Sequence, residues 1–558
     1  AATLYGTDAA NGVVVITTKK GRAGAPRWNV YAETGAIRDY NPYPSSYTLF
    51  GHAPATPTTT RTCVLTEVSA GTCVPDSLKS LNVTKEDDLT PLGTGFRQQY
   101  GAQLSGGTDA VRFFTGVEWE DEVGVFRMDD VSRRRYLTNG LPLREEWARP
   151  NALTRTSLRA NVNAAVSPKL DLQVSTNYIN SAQRAPQIDN NINGLFFSAL
   201  GGPGYRTGTG ALGEPLNGYG IITPYDMFQY TTTQGINRFI GGGNLSWRPL
   251  TWMSNRANVG IDYAARTDQQ LCRRNNCPDF GSNRLGFALD YRTNIRNFSV
   301  DLGSTATFNP LSWMESRTTV GAQYVNYRFD RNGAAGSTLP PGTQTVTAGA
   351  VPFADQAHVL SKTLGLFAEE QLAMRDRLFV TLAVRTDQNS AFGTDFQRVV
   401  YPKASVSWIL SQERFFPQFT WLDQFRVRAA YGAAGQQPGP NDALRFFQPN
   451  TSNIAGVDQP VVQFQALGNQ ELQPERATEV EAGFDARFRN RLSLELTYYS
   501  KVTKDALIAT IIPPTVGAGA TTRFDNLGSV RNAGAEGLIN AQIIDRPAIG
   551  WDLTLSGS

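Results

Sequence analysis

The residues able to do chemistry are few and scattered. The chain holds two histidines, His52 and His358. Neither stands in a cluster of cysteines or carboxylates at ligand spacing, so neither supports a metal site or a histidine-based triad. The four cysteines fall into two local pairs, Cys63 with Cys73 and Cys272 with Cys277. Such pairs suit loop disulfides made in an oxidising compartment. For Cys272-Arg-Arg-Asn-Asn-Cys277 the competing reading is a metal half-site; no second cysteine pair or histidine lies near it, which favours the disulfide. Gly208-Thr209-Gly210-Ala211-Leu212-Gly213 fits G-x-G-x-x-G, but a nucleotide site needs a strand before it and a helix after it, and neither is present. Glu86-Asp87-Asp88 could hold calcium, yet reads better as a solvated loop surface. Glu369 and Glu370 are neighbours, so a strand sends them to opposite faces, where they cannot work as an acid–base pair. No catalytic, cofactor or metal site is expected, and no enzymatic activity.

Charges gather instead on single faces of alternating runs. Glu118 and Glu120 share a face with Arg112; Glu479, Glu481, Asp485, Arg487 and Arg489 share another; Arg426 and Arg428 share a third. Facing hydrocarbon near the midplane, each arginine would be destabilising by ~2–4 kcal/mol and each carboxylate by less. They are therefore expected to line a polar lumen as a solvated, mutually paired wall.

The elements that carry these faces are long strands. In 154–182, Leu158, Ala160, Val162, Ala164 and Val166 oppose Arg155, Ser157, Arg159, Asn161 and Asn163. Ser167-Pro168 turns the chain, and Leu170, Leu172, Val174, Thr176 and Tyr178 then oppose Lys169, Asp171, Gln173, Ser175 and Asn177. Period two gives each set its own face, one dry and one wet. About seventeen such runs occur, near 27–37, 98–106, 110–121, 154–166, 169–182, 236–248, 252–267, 286–308, 313–330, 357–374, 377–387, 401–410, 422–434, 476–489, 491–503, 532–545 and 549–558. Short turns, among them Arg375-Asp376 and Arg489-Asn490, alternate with the long loops 38–97, 122–153, 183–235, 268–285, 331–356, 388–400, 435–475 and 504–531. Short turns at one end and long loops at the other are the pattern of outer-membrane barrels, whose short turns are periplasmic. Trp247, Trp252 and Trp313 flank short turns, while Tyr178, Tyr263, Tyr324, Tyr327, Tyr431, Tyr498 and Tyr499 lie toward the long loops. Two interfacial aromatic girdles are expected.

Bulk properties agree. At 558 residues the chain exceeds one ordinary soluble core. Its mean hydropathy of −0.31 and 41% hydrophobic content are modest because a barrel strand shows lipid only every second residue. No apolar run is long enough for a membrane helix. A net charge of +3 gives no reason to propose nucleic acid.

The N-terminal stretch carries a family resemblance. Leu4-Tyr5-Gly6-Thr7-Asp8-Ala9-Ala10-Asn11-Gly12 runs into Val13-Val14-Val15-Ile16-Thr17-Thr18-Lys19-Lys20-Gly21, a turn followed by a β-branched strand with a basic end. It resembles the end of the plug domain in TonB-dependent outer-membrane transporters. Its Ala-Ala-Asn-Gly and Thr-Thr-Lys-Lys-Gly forms resemble the SusC/RagA branch. Further stretches fit in family order: Ser105-Gly106-Gly107-Thr108-Asp109 before Arg112-Phe113-Phe114, Tyr431-Gly432 before Gly435-Gln436, Asn469 to Pro474-Glu475, and Asn526 to Gly534.

The resemblance implies an all-β fold, a transmembrane antiparallel β-barrel of about 22 strands with a plugged lumen. Residues 1–22 would be the end of the plug and 23–558 the barrel, incomplete at the C-terminus by about five strands. No TonB box and little of the plug are present, so the chain reads as a fragment whose first residue, Ala1, is a truncation point. The implied function is TonB-energised uptake, across the outer membrane of a Gram-negative-type bacterium, of a nutrient such as an oligosaccharide or oligopeptide. The implied partners are the TonB–ExbB–ExbD complex and a SusD-like surface lipoprotein over the mouth. A passive porin or barrel adhesin is the alternative, opposed by the plug strand at 13–20. A secreted glycan-binding or glycan-cleaving protein is a third, opposed by the missing catalytic cluster and the one-sided loops.

Overall fold

The computed structural model describes residues 19–187, 194–206, 208–210, 213–276, 278, 283–391, 398–516 and 520–558. Seventeen strands form one antiparallel sheet. They are β1 Gly24–Ile37, β2 Gly95–Gly107, β3 Val111–Val123, β4 Ala152–Ser167, β5 Leu170–Arg184 and β6 Thr231–Leu250. There follow β7 Met253–Cys272, β8 Phe287–Leu311, β9 Met314–Ser337, β10 Val351–Met374, β11 Leu378–Asn389 and β12 Val399–Ile409. The last are β13 Leu422–Gln436, β14 Glu475–Phe488, β15 Leu492–Lys504, β16 Ser529–Arg546 and β17 Ile549–Gly557. Each pairs with the next in chain order. Among the described residues β1 pairs with β2 alone and β17 with β16 alone, so they are the edges of the sheet there.

All seventeen strands stand where period two places them, and several run further toward the long loops. β9 continues to Ser337 and β10 begins at Val351. Two tight turns show why the hairpins hold. Arg375 and Asp376 have φ of 51° and 54°, and Arg489 and Asn490 of 47° and 52°. Paired left-handed residues give a turn whose twist matches the right-handed twist of its strands.

The sheet has one dry face and one wet face. Leu158 and Val162 in β4, Phe298 and Leu302 in β8, Leu364 and Leu366 in β10, and Leu382 and Val384 in β11 are all exposed. A continuous apolar face of this size is unstable in water and stable against hydrocarbon. Among the described residues no helix is long and apolar enough to cross a membrane. On the wet face, glycines make room for rings on the neighbouring strand. A Cβ on Gly101 would stand 2.3 Å from the Tyr31 ring, and one on Gly321 2.3 Å from the Phe367 ring.

The loops hold more order than the sequence pattern suggests. The first folds into a three-stranded sheet of Ser46–Ala53, Thr56–Cys63 and Val74–Leu81, with α1 Leu65–Ser69. Later loops carry α2 Asp130–Thr138, α3 Glu145–Ala148, α4 Leu195–Leu200 and α5 Pro224–Met227. Two hairpins stand further on, Phe446–Ile454 with Val457–Ala466 and Leu507–Ile511 with Thr522–Asn526.

Candidate functional site

The wet face is lined by paired charges, built by period two and joined across strands. Arg97 Nε and Arg155 Nη2 each lie 2.5 Å from the carboxylate of Glu120, and Tyr31 Oη donates to Glu118 at 2.7 Å. Arg426 Nε donates to Asp485 at 2.6 Å, and Arg428 reaches the same carboxylate at 3.3 Å and Thr497 Oγ1 at 2.6 Å. Two further groupings were not read from the sequence, where Glu369 stood only beside Glu370. Arg385 donates to Asp387 and to Gln323, each at 2.7 Å, with Arg385 2% and Asp387 0% exposed. Lys403 Nζ donates to Glu369 at 3.1 Å, and Gln371 to the same carboxylate at 2.6 Å. Arg385 with Asp387 and Gln371 with Glu369 stand two residues apart on one face of a strand, a spacing legible in the sequence, whereas Gln323 and Lys403 reach them from other strands, 62 and 34 residues away. Glu370 projects to the opposite face and accepts from Ser316 and Thr318 at 2.5 and 2.6 Å.

The girdle residues divide by the same alternation. Tyr324 shares the dry face with Val320, and Tyr498 with Leu496. Tyr327 and Tyr499 have the opposite parity and fall on the wet face; neither belongs to an outer girdle. At the short-turn end Trp252 stacks on Phe308 at 5.4 Å and Trp421 on Phe488 at 5.8 Å.

Lys19, Lys20 and Gly21 lead into the first strand along the wet face. Asn161 Nδ2 donates to the Lys19 carbonyl at 2.8 Å, and Lys19 Nζ donates to Gln103 Oε1 at 3.3 Å. A Cβ on Gly21 would meet the Phe113 carbonyl oxygen at 2.4 Å, so a side chain there would force the segment off the wall. Leu4, Tyr5, Gly6, Ala10, Asn11, Gly12, Thr17 and Thr18 lie outside the described residues.

Over the long-loop end, three loops fuse around one hydrophobic core. Val83 and Leu89 come from the first; Phe126, Met128, Tyr136 and Trp147 from the second; Leu195, Tyr219, Ile222, Met227 and Phe228 from the third. Buried polar groups tie them together. Tyr136 Oη donates to the Tyr225 carbonyl at 3.1 Å and Tyr219 Oη to the Leu89 carbonyl at 2.7 Å, while within the third loop Ser198 Oγ donates to the Ile222 carbonyl at 2.5 Å. Asp129 caps α2 by accepting from the Ser132 amide at 2.8 Å. Burial pushes the Asp129 and Asp226 carboxyls up to about 6; Asp129 is partly held down by its cap, and Asp226 by Arg135. These core residues carry no helical or strand period in the sequence. Their signal is only that they are apolar and aromatic in loops too long to be simple connections.

The acidic run is engaged by a cation from the third loop. Arg206 donates to Asp88 at 2.7 and 2.8 Å and to Glu86 at 2.6 Å, and it holds the Asp88 carboxyl below its usual range. Among the described residues no cluster could hold a metal ion. In the G-x-G-x-x-G stretch Thr209 bridges to Pro215; Ala211 and Leu212 lie outside the described residues. Cys63 and Cys73 are disulfide-bonded across the first loop. Cys272 also carries a disulfide, while Cys277 lies outside the described residues.

A family model described as TonB dependent receptor-like, beta-barrel, matches residues 171–558. The chain belongs to this family. Its members are transporters and receptors rather than enzymes. TonB-dependent receptor P26 of Formosa agariphila is 22% identical over 99% of this chain and 54% of its own length. TonB-dependent receptor SusC of Bacteroides thetaiotaomicron is 22% identical over 99% of this chain and 54% of its own length. The chain thus spans about half the length of the curated relatives it matches. Among solved structures, the RagAB peptide transporter aligns with a TM-score of 0.75 at 18% identity, covering all of this chain and 63% of that one. The siderophore receptor PirA of Acinetobacter baumannii aligns with a TM-score of 0.52 at 13% identity, covering 100% of this chain and 65% of that one. The shared feature is the antiparallel barrel wall, and the wet face here is the inner side of such a wall.

Proposed function

We propose that the full-length protein is an outer-membrane importer energised through TonB–ExbB–ExbD, carrying an oligopeptide or oligosaccharide past a plug. The observation that carries this reading is the segment Lys19–Gly21 held against the charge-lined inner wall by Asn161 and Gln103. A chain entering the barrel from within its lumen has the geometry of a plug joining the first strand. On this reading residues 1–22 end the plug and 23–558 belong to the barrel. Unpaired backbone groups along β1 and β17 are not tolerated in lipid, so on this reading both edges are covered in the membrane. The loop-built cap faces the outside, where a SusD-like lipoprotein would meet it.

The test uses the full-length protein in its own host. It should fractionate with the outer membrane and shift on gels when heated. Deleting its gene should abolish growth on one class of oligomer, peptide or glycan, and loss of TonB should have the same effect. A soluble periplasmic protein, or uptake that persists without TonB, would overturn the reading.

A further inference from the structure

On the outer face of β8, β9 and β10, just above the apolar band, basic side chains join the aliphatic ones, and on β10 the exposed Leu360 stands between Lys362 and His358, beside Arg328. Leu302, Phe298, Arg296 and Arg292 share one face of β8, and the register with β9 is unbroken from Phe287 to Phe308. Val320, Tyr324 and Arg328 share that face on β9, and Leu366, Leu364, Lys362 and His358 on β10. The step from Phe308 to Phe298 spans ten residues, which rise about 25 Å at ~3.3 Å per residue and ~40° of tilt, the height of a barrel's hydrocarbon band. Arg296 is the next outward residue. The register sets it beside Arg328, and sets Lys362 beside Asn326 one row lower.

Acids only partly offset this charge. Asp330 takes Arg328 at 2.8 Å and Arg296 at 3.2 Å, and also contacts His358; Asp290 lies 3.4 Å from Arg292. Four permanent cations face two carboxylates. The guanidinium side chains stay open, with Arg296 49%, Arg328 44% and Arg292 76% exposed. On β7, β6 and β5 the Arg296 row continues as Tyr263, Phe239 and Tyr178, and the Arg292 row as Thr267, Gly235 and Ala182, with no charge. At matching height above Phe488, the outer face of β14–β16 again turns basic, at Arg476, Lys504 and Arg531.

We propose that the outward cluster Arg292, Arg296, Arg328, Lys362 and His358 binds the phosphate groups of outer-leaflet lipid. This rests on the outer-membrane reading above. At that height and on that face, lipid headgroups are the neighbouring phase. Forked guanidiniums on a rigid strand can grip a phosphate by two hydrogen bonds, where a lone exposed lysine offers only a point charge. The Asp330 carboxylate holds Arg296 and Arg328 side by side at a spacing that repulsion between them would otherwise widen.

The experiment extracts the full-length protein from outer membranes in mild detergent and measures co-purifying phosphorylated lipid by native mass spectrometry. The triple variant R296Q/R328Q/K362Q should retain about tenfold less lipid than wild type. A charge-matched variant in the cap, K85Q/R133Q/R134Q, should retain the full amount. Wild type should fail to hold the same lipid after enzymatic removal of its phosphates, and excess inorganic phosphate should not displace the intact lipid. Equal retention by the triple variant, or by dephosphorylated lipid, overturns the site. Displacement by inorganic phosphate overturns the assignment to lipid. Absence of wild type from the outer membrane overturns the underlying reading as well, whereas correct fractionation with equal retention overturns this inference alone.

Discussion

Replacing Trp147 with alanine should open the cap and leave the barrel intact. Trp147 is 4% exposed on α3 and packs beside Tyr136, ring centroids 5.8 Å apart. The guanidiniums of Arg144 and Arg273 lie 5.2 and 5.6 Å from its ring, the second reaching over from the loop after β7. Truncating a buried tryptophan removes ~3–5 kcal/mol, and the two cation–ring contacts add ~0.5–1 kcal/mol each. Relaxation of the loops recovers part of this, leaving about 4 kcal/mol. That corresponds to about a thousandfold more frequent opening. Hydrogen exchange followed by peptide mass spectrometry reads it directly. Amides of 82–92, 126–147, 195–206 and 213–228 should lose protection together, and those of β8–β10 should keep theirs. Leu137→Ala, at a side chain 72% exposed on α2, should change nothing. Unchanged protection in W147A, or equal loss across the sheet, would refute a cap that is stable as its own unit.

Three further outcomes follow from the same structure. The Asp129 and Asp226 carboxyls are raised by burial to about 6, so the folded cap holds protons that the unfolded loops release. Their stabilisation is complete below pH ~4 and is lost as pH rises through about 6; cap exchange should quicken from pH 5 to 7.5, and D226N should flatten that dependence. Reducing the Cys63–Cys73 disulfide, or replacing both with serine, should cost the first loop about 2–3 kcal/mol and expose 56–81 to trypsin without altering heat-modifiable mobility. In G365A the new Cβ would stand 2.2 Å from Arg385 Nη2 and 2.5 Å from Asp387 Oδ1; displacing that buried pair should lower the temperature of the heat-induced gel shift by an amount matching ~1–3 kcal/mol.

The barrel was legible because its physics is local. Alternation in 154–182 fixes which side of β4 and β5 meets lipid, and Arg489-Asn490 fixes the turn that follows β14. The strand ends above the membrane were less legible. Once β9 and β10 leave the lipid their outer residues turn polar, as at Arg328 and His358, and the alternation disappears while the hydrogen-bond ladder continues to Ser337 and Val351. The hairpin at 446–466 was hidden by Pro449 and Pro460, which argue against a central strand but are tolerated in an isolated pair. The cap was invisible for a different reason. Val83, Trp147 and Phe228 meet only in three dimensions, and no periodicity in one loop reports on the other two.

The cap's composition also sets an order of assembly. Its core draws on residues from Val83 to Phe228, a span that encloses β2 through β5. Contacts at such sequence separation form late, because closing the intervening chain must precede any gain from joining its ends. The scaffold that brings them together is the paired run from β1 to β6. The cap therefore completes only after those hairpins have zipped and taken their place in the bilayer. The Cys63–Cys73 staple lies within one loop and is free of that constraint. On the outer-membrane reading, an intact cap is in effect a receipt for correct insertion of β1–β6, and a wall that stalls there would leave its loops open.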